Sequence, residues 1–232
     1  MKNNALFVLL IPVFIASCSS QTMMKTLDLP LEKGTTWIYS YEAYKQSADS
    51  DRILKATYQL TESVIEVEAI STYFVAHVKG EFELVSAEAG WPDDLSSQSN
   101  EFWYVVSDHQ VLQSNQPLDP ANIEIDQLIL DYDFPLSVTK SWCLTTSNSK
   151  DPDKTITGCE FVGRREVTGQ ATYETSAAKF DDCYDIIDYF NGGNIFQRFC
   201  NGAGVVFKKF DHSGTRFGFE QKLVGFSTDS SE

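Results

Sequence analysis

The chain is poor in the residues that carry most catalysis and metal binding. Histidine occurs three times in 232 residues, at His77, His109 and His212. These positions are far apart and show no short His-x-His or His-x3-His spacing, which leaves a zinc site without support. His77 falls in the alternating segment YFVAHVKG, and the other two fall in the turn-like segments SDHQ and FDHSG. Cationic side chains are also scarce: 18 Lys and Arg face 33 Asp and Glu, for a net charge of −15. Nucleic-acid phosphates demand Lys and Arg, so that class of partner is excluded, and so is docking on anionic headgroups. The acidity reads as a charged soluble surface that discourages association. No G-x-S-x-G elbow occurs, so a serine hydrolase of that type has no support. GAGVVF lacks the third glycine of a dinucleotide fingerprint and precedes a strand rather than a helix, so no helix N-terminus would meet a phosphate. DPDKTI places Ile156 where a calcium loop needs glycine. Metal and cofactor are therefore both expected to be absent. Also missing is any apolar run of the roughly 20 residues that a bilayer-crossing helix requires.

The longest apolar run, Ala5 to Ala16, is twelve residues interrupted by Pro12. Behind Lys2 it has the length of a secretory signal core. It closes with Ile15-Ala16-Ser17-Cys18. The small Ser17 suits a signal peptidase pocket, and Cys18 offers a thiol for lipid transfer. These four residues resemble the bacterial lipobox, which implies a leader over 1–17, lipidation of Cys18 and a polar tether over 18–26. Each buried CH₂ contributes about 0.8 kcal/mol, so two or three acyl chains hold firmly where one does not. Ser19 is not the Asp that retains lipoproteins at the inner membrane of enteric bacteria. The expected location is the outer membrane of a two-membrane cell, or otherwise the outer face of the cytoplasmic membrane. Loss of the leader takes Lys2 with it and moves the net charge to −16.

Four cysteines remain, Cys143, Cys159, Cys183 and Cys200, with no Cys-x-x-Cys pair. An even count in an exported chain favours disulfides over zinc or redox catalysis. In CYDIIDYFNGGNIFQRFC, two β-rich runs flank Asn191-Gly192, the dipeptide preferred in a two-residue type I′ hairpin. With that turn, Phe190 faces Gly193, Ile187 faces Phe196, Asp185 faces Arg198, and Cys183 faces Cys200 at a non-hydrogen-bonded site. Cα atoms there lie about 4.5 Å apart, within disulfide reach. A one-residue slip loses every match. Cys183 therefore pairs with Cys200, and Cys143 is left to Cys159.

Short alternating runs rich in Tyr, Phe, Val, Ile and Thr fill the rest, separated by turn formers, and no long stretch keeps helical periodicity. The expected fold is all-β: an antiparallel sandwich or open bent barrel with at most one short helix. Asp119-Pro120 to Asp131 reads as that helix or equally as a strand. Residues 88–100 and 146–154 read as polar loops. One domain spans 27–227, followed by a loose tail over 228–232; a chain of this length buries roughly 70% of its unfolded surface without a second domain. An internal repeat divides it into 27–131 and 132–227. Pro30-Leu31 precedes Trp37 as Pro135-Leu136 precedes Trp142, and Phe102 precedes Val111 as Phe196 precedes Val205. Each half would be a meander whose opening tryptophan packs under its own sheet.

At these residues the chain resembles a loose set of uncharacterised exported bacterial lipoproteins with the pattern PL-x-x-G-x-x-W, A-G-T-F-x-x-C-Y and G-x-G-[ILV]-V-K. The matching segments are PL-x5-W in both halves, AAKFDDCYDI and GAGVVFK. Thr139 stands where the pattern prefers glycine, which Gly34 keeps, and Ala178-Lys179 replace Gly-Thr. The resemblance implies an all-β exported protein and brings no activity.

The leading expectation is a non-enzymatic, lipid-anchored binding or structural domain, held to the membrane through Cys18. Its partner would be a small molecule, a lipid or an envelope component. A carrier of an apolar ligand between curved sheets is the second expectation. A carbohydrate-active enzyme using two of Asp93-Asp94, Asp131/Asp133, Asp151/Asp153 or Asp181-Asp182 is the weakest, since such catalysis needs two carboxyls at a set separation. Rings in WIYSYEAY and EFWYVV could line a groove, but strands that bury one face make core their default.

Overall fold

In a computed structural model of the protein, the residues described are 29–70, 72–92, 95–119, 122–144, 159, 163–190 and 192–228. They form twelve strands in one antiparallel sheet: β1 (Thr36–Gln46), β2 (Ile53–Ile70), β3 (Tyr73–Ala87), β4 (Ser99–Val106), β5 (Gln110–Ser114), β6 (Ile129–Asp133), β7 (Ser141–Cys143), β8 (Arg164–Glu174), β9 (Lys179–Phe190), β10 (Gly193–Cys200), β11 (Gly204–His212) and β12 (Phe217–Ser227). The alternation read from the sequence is the alternation of faces. Along β2, Leu54, Ala56, Tyr58 and Leu60 are buried, while Lys55 and Gln59 are exposed. Each large apolar side chain so covered contributes about 1.5–3 kcal/mol.

The strand order is β6-β5-β4-β3-β2-β1-β12-β11-β10-β9-β8-β7. The chain thus walks outward from β1 to β6, crosses to the far edge, and walks back from β7 to β12. Both meanders are consecutive hairpins, the cheapest connection for antiparallel strands. They join side by side at β1 and β12, and the sheet curls until its edges meet in a nearly closed barrel. At that seam the Leu130 amide donates to the Leu144 carbonyl at 2.9 Å. Closure of this kind removes the exposed edges that make β-proteins aggregate. The single interior is lined from both halves by residues such as Val64, Val78, Val167, Ile186, Val206 and Leu223.

In the region left open between helix and strand, the described residues form a 3₁₀ turn, Ile125–Gln127, and then β6. A second 3₁₀ turn among the described residues, Leu95–Ser97, lies in the polar loop after β3. That loop is pinned by Trp91, whose Nε1 donates to the Tyr58 hydroxyl at 3.0 Å over a small second core of Ala43, Ala56 and Tyr58.

The two meanders open alike. Leu31 and Leu136 are buried, as are Trp37 and Trp142. The Gly34 amide donates to Val64 O and the Thr139 amide to Val167 O, while the Val64 and Val167 amides donate back to Thr35 O and Lys140 O. Gly34 and Thr139 share a left-handed backbone, with φ of 89° and 75°. The division at 131/132 falls inside β6 rather than between elements. Trp37 also leaves its own meander: its Nε1 donates to Ala203 O, before β11, at 2.6 Å. It can do so because β1 and β12 are neighbours and the halves share one interior.

The hairpin of β9 and β10 has Phe190 opposite Gly193, Ile187 opposite Phe196, Asp185 opposite Arg198 and Cys183 opposite Cys200. Cys183 and Cys200 are disulfide-bonded with Cα atoms 4.0 Å apart. Cys143 is bonded to Cys159 with Cα atoms 5.2 Å apart.

Candidate functional site

The interior is not uniformly apolar. Inward positions across its middle carry a polar layer centred on Arg165. Strand alternation points Arg165 of β8 inward, opposite Asp188 of β9 and Trp142 of β7. Its guanidinium forks onto Asp188, Nε to Oδ1 at 2.5 Å and Nη2 to Oδ2 at 2.6 Å. Nη1 reaches across the seam to the Asp131 carboxylate of β6 at 2.6 Å, and also to the Asp131 backbone carbonyl. Four of its five N–H groups thus have partners. Burial opposes the charge of Arg165, but the two aspartates more than offset it and hold its pKa above the ordinary value. The guanidinium also lies 5.2 Å from the centre of the Tyr132 ring. Tyr132 donates to Gln197 Oε1 at 3.3 Å, and its ring packs on Phe134 and Phe199.

Glu62 is the counterpart of Arg165 in the first meander. It lies two residues before Val64 as Arg165 lies two before Val167, and it faces Trp37 as Arg165 faces Trp142. Its other neighbour is Gly80 of β3, where the second meander has Asp188. Glu62 is set deep among protein atoms, yet part of its surface remains accessible. Burial pushes its carboxyl up to about 7, against a downward pull from Lys208. Around it stand Tyr39, Tyr104 and Tyr132, whose hydroxyls burial, more than neighbouring charge, holds well above the usual phenol range. The Tyr39 hydroxyl donates to Val205 O at 3.0 Å. Lys208 of β11 completes the layer, flanked by Gln197 and Gln221 on its own face.

Cys18 lies outside the described residues, as do Asp93, Asp94, Asp151 and Asp153. Of the other acidic pairs, Asp131 belongs to the Arg165 layer, while Asp133 pairs with Lys140 at 3.1 Å. Asp182 accepts from Gln170 and Asn201 away from that layer. The histidines stay apart. His77 stacks on Trp103 at 4.3 Å, His109 sits in the turn before β5, and His212 stacks on Phe217 at 4.4 Å. Among the described residues no group of three His, Cys, Asp or Glu is placed to hold a metal ion. On the outer face, a shallow groove of about 750 Å³ is lined by residues including Glu42, Lys55, Lys209, Arg216 and Glu220. Arg165, Asp188, Glu62, Lys208 and Gln197 were not singled out by motif. The signal available was phase: each is a polar residue at an inward position of an otherwise alternating strand.

No protein-family model and no curated protein matches the chain. Two solved structures are similar to it. One is a protein proposed to be exported, with a YmcC-like fold, from Bacteroides fragilis; it is 13% identical, with 86% of this chain and 98% of that chain covered and a TM-score of 0.48. The other is a proposed lipoprotein from Parabacteroides distasonis, 11% identical, with coverages of 87% and 99% and a TM-score of 0.48.

Proposed function

We propose that the chain is a lipoprotein of the cell envelope, anchored through acylated Cys18, whose barrel is a non-enzymatic domain that binds a partner. It belongs, on this reading, with the exported lipoproteins whose motifs it resembles. The observation that carries the reading is the pair of disulfides, Cys143–Cys159 and Cys183–Cys200, downstream of the lipobox-like segment Ile15-Ala16-Ser17-Cys18. Such crosslinks persist in oxidising compartments and are rare in the cytosol. The two-membrane cell would hold it at the outer membrane.

The polar layer bears on the competing readings. An apolar cargo in the interior would meet Glu62 and Lys208 without offering either a hydrogen bond, a cost of roughly 1–3 kcal/mol per group or more. That favours a ligand with polar groups over a lipid. A glycosidase needs one carboxyl free to protonate a leaving group. Asp131 and Asp188 are instead joined by one guanidinium, which leaves neither free for that role.

The test is Cys18→Ala in the native host. The variant should move from the membrane fraction to the soluble fraction, while wild type stays membrane-bound through alkaline washing. A variant that remains with the membranes after the same wash refutes the anchor.

A further inference from the structure

We infer that the groove on the outer face binds a pyranose that carries a carboxylate, with the Tyr44 ring beneath the sugar and Arg216 on its acid group. This rests on reading the barrel as a domain that binds a partner, names that partner's chemistry, and is independent of the acyl anchor.

Sheet register lays the site out in rows. Lys55, Tyr44, Gly218 and Asp211 lie side by side on β2, β1, β12 and β11. Glu42, Glu220 and Lys209 form the next row. On the other side of the Tyr44 row stands Arg216, whose backbone carbonyl accepts from the Gln46 amide at 2.8 Å. It comes two residues before Gly218, at most about 7 Å along the chain. Gly218 has no side chain, and Tyr44 takes the space. The phenol lies across the glycine toward β11, where its hydroxyl donates to the Asp211 carboxylate and has the Phe210 carbonyl 3.2 Å away. A Cβ on Gly218 would come within 2.6 Å of the ring carbon Cζ. The ring therefore rests on backbone, and Tyr44 and Arg216 both line a groove of about 750 Å³. Small-molecule sites run from about 300 to 1,000 Å³, so a sugar has room.

The chemistry selects the ligand. An aromatic face is electron-rich and attracts the weakly positive C–H groups on one side of a pyranose. Around Tyr44 stand the pairs Lys55–Glu42 at 2.8 Å, Lys209–Asp211 at 3.0 Å and Lys222–Glu220 at 2.5 Å, with side chains 33–60% exposed. Exposed pairs contribute only about 0–1 kcal/mol. Sugar hydroxyls can enter between the partners at little cost, donating to a carboxylate and accepting from an ammonium. Each carboxylate of the groove thus has a cation of its own. Arg216 is the cation left over, since its guanidinium has no hydrogen bond or ion pair among the described residues. A neutral sugar would leave Arg216 unused, and a plain anion would leave the ring unused. A pyranose with a carboxylate engages both.

The experiment is saturation-transfer NMR and calorimetric titration on the purified protein in detergent at pH 7. The probes are methyl α-D-galacturonide, methyl β-D-glucuronide and trigalacturonate, with methyl α-D-galactoside as the neutral counterpart and acetate as the plain anion. At least one acidic sugar should bind, the galactoside more weakly by about tenfold or more, and acetate not at all. Tighter binding of trigalacturonate than of its monomer assigns the groove to a polymer, and equal binding assigns it to a single sugar. Arg216→Gln and Tyr44→Leu should each weaken the binding by about tenfold. Tyr44→Phe keeps the ring and should bind nearly as wild type does. Arg216 is exposed, so its replacement tests the site without a folding defect. Absence of binding by every acidic sugar, equal binding by the galactoside or by acetate, or binding unchanged in Arg216→Gln or Tyr44→Leu would each overturn the assignment. So would equal losses in Tyr44→Phe and Tyr44→Leu. The readout is titration rather than fractionation, so its failure leaves the Cys18 anchor untouched, and the reverse holds too.

Discussion

Replacing Arg165 with methionine removes the cation that joins β8 and β9 to β6 across the seam. The side chains of Arg165, Asp131 and Asp188 are 7%, 10% and 5% exposed. The substitution leaves two carboxylates facing each other with little access to water. Breaking a buried ion pair in this one-sided way costs about 3–5 kcal/mol. Native domains have roughly 5–15 kcal/mol in all, so the loss is at least a fifth of the total. For a domain of about 200 residues each kcal/mol moves the melting temperature by about 2–4 °C, so a drop of about 6–20 °C is expected. The assay is urea unfolding followed by tryptophan fluorescence, with disulfides intact. The triple variant Arg165→Met, Asp131→Leu, Asp188→Leu separates charge from packing. Apolar replacement of a whole buried ion network is often neutral or better, and here the Asp131 carbonyl loses a donor and the Gln197 amide loses its Asp188 acceptor, at about 1 kcal/mol each. The triple variant should recover most of what the single one loses. A single-variant cost below about 1 kcal/mol would refute the claim that this network holds the seam. A triple variant as weak as the single would show that uncompensated charge is not the reason.

Three further outcomes follow. Glu62 has its folded pKa raised to about 7 by burial, so the folded state binds this proton more tightly than the unfolded chain. Its stabilising effect is complete below the unfolded value near 4.5 and is lost as pH rises through 7. At about 1.4 kcal/mol per unit, wild type should lose about 1–3 kcal/mol relative to Glu62→Gln between pH 4.5 and 8; parallel pH profiles would contradict this. Thr139 is β-branched with φ of 75°, a conformation costing about 1–3 kcal/mol, so Thr139→Gly should raise the unfolding free energy by about 1 kcal/mol and the urea midpoint with it, whereas a lowered midpoint would argue against stored strain. Cys183→Ser should cost about 3 kcal/mol through loss of loop closure. Because Cys200 is fully covered, its freed thiol should react with a maleimide only in denaturant, and rapid reaction of the native variant would place that thiol elsewhere.

Local chemistry made part of this fold readable. The Asn191-Gly192 turn, the phase of two cysteines and the Asp185/Arg198 match all specify one register, so the β9/β10 hairpin follows from adjacent sequence alone. The paired Pro-Leu and Trp spacings likewise mark the two meander openings, because each opening needs a buried leucine, a left-handed backbone and a tryptophan. Closure was not readable. Whether meanders stack as a sandwich or join at β1 and β12 depends on contacts between residues some 170–190 positions apart, and no local signal encodes them. The polar layer was hidden for the same reason. Asp131 looked like one of several acidic surface pairs until the seam brought it to Arg165, and Glu62 looked like any charge on a strand until its phase placed it beside Trp37.

The proposed identity rests on one covalent event at the start of the mature chain. Intact-mass and peptide mass spectrometry of protein purified from membranes of the native host tests it directly. The account requires an N-terminal peptide beginning at Cys18 and heavier by a diacylglyceryl group, with or without a further acyl chain. A peptide that still carries residues 1–17, or one in which Cys18 is unmodified, would contradict it.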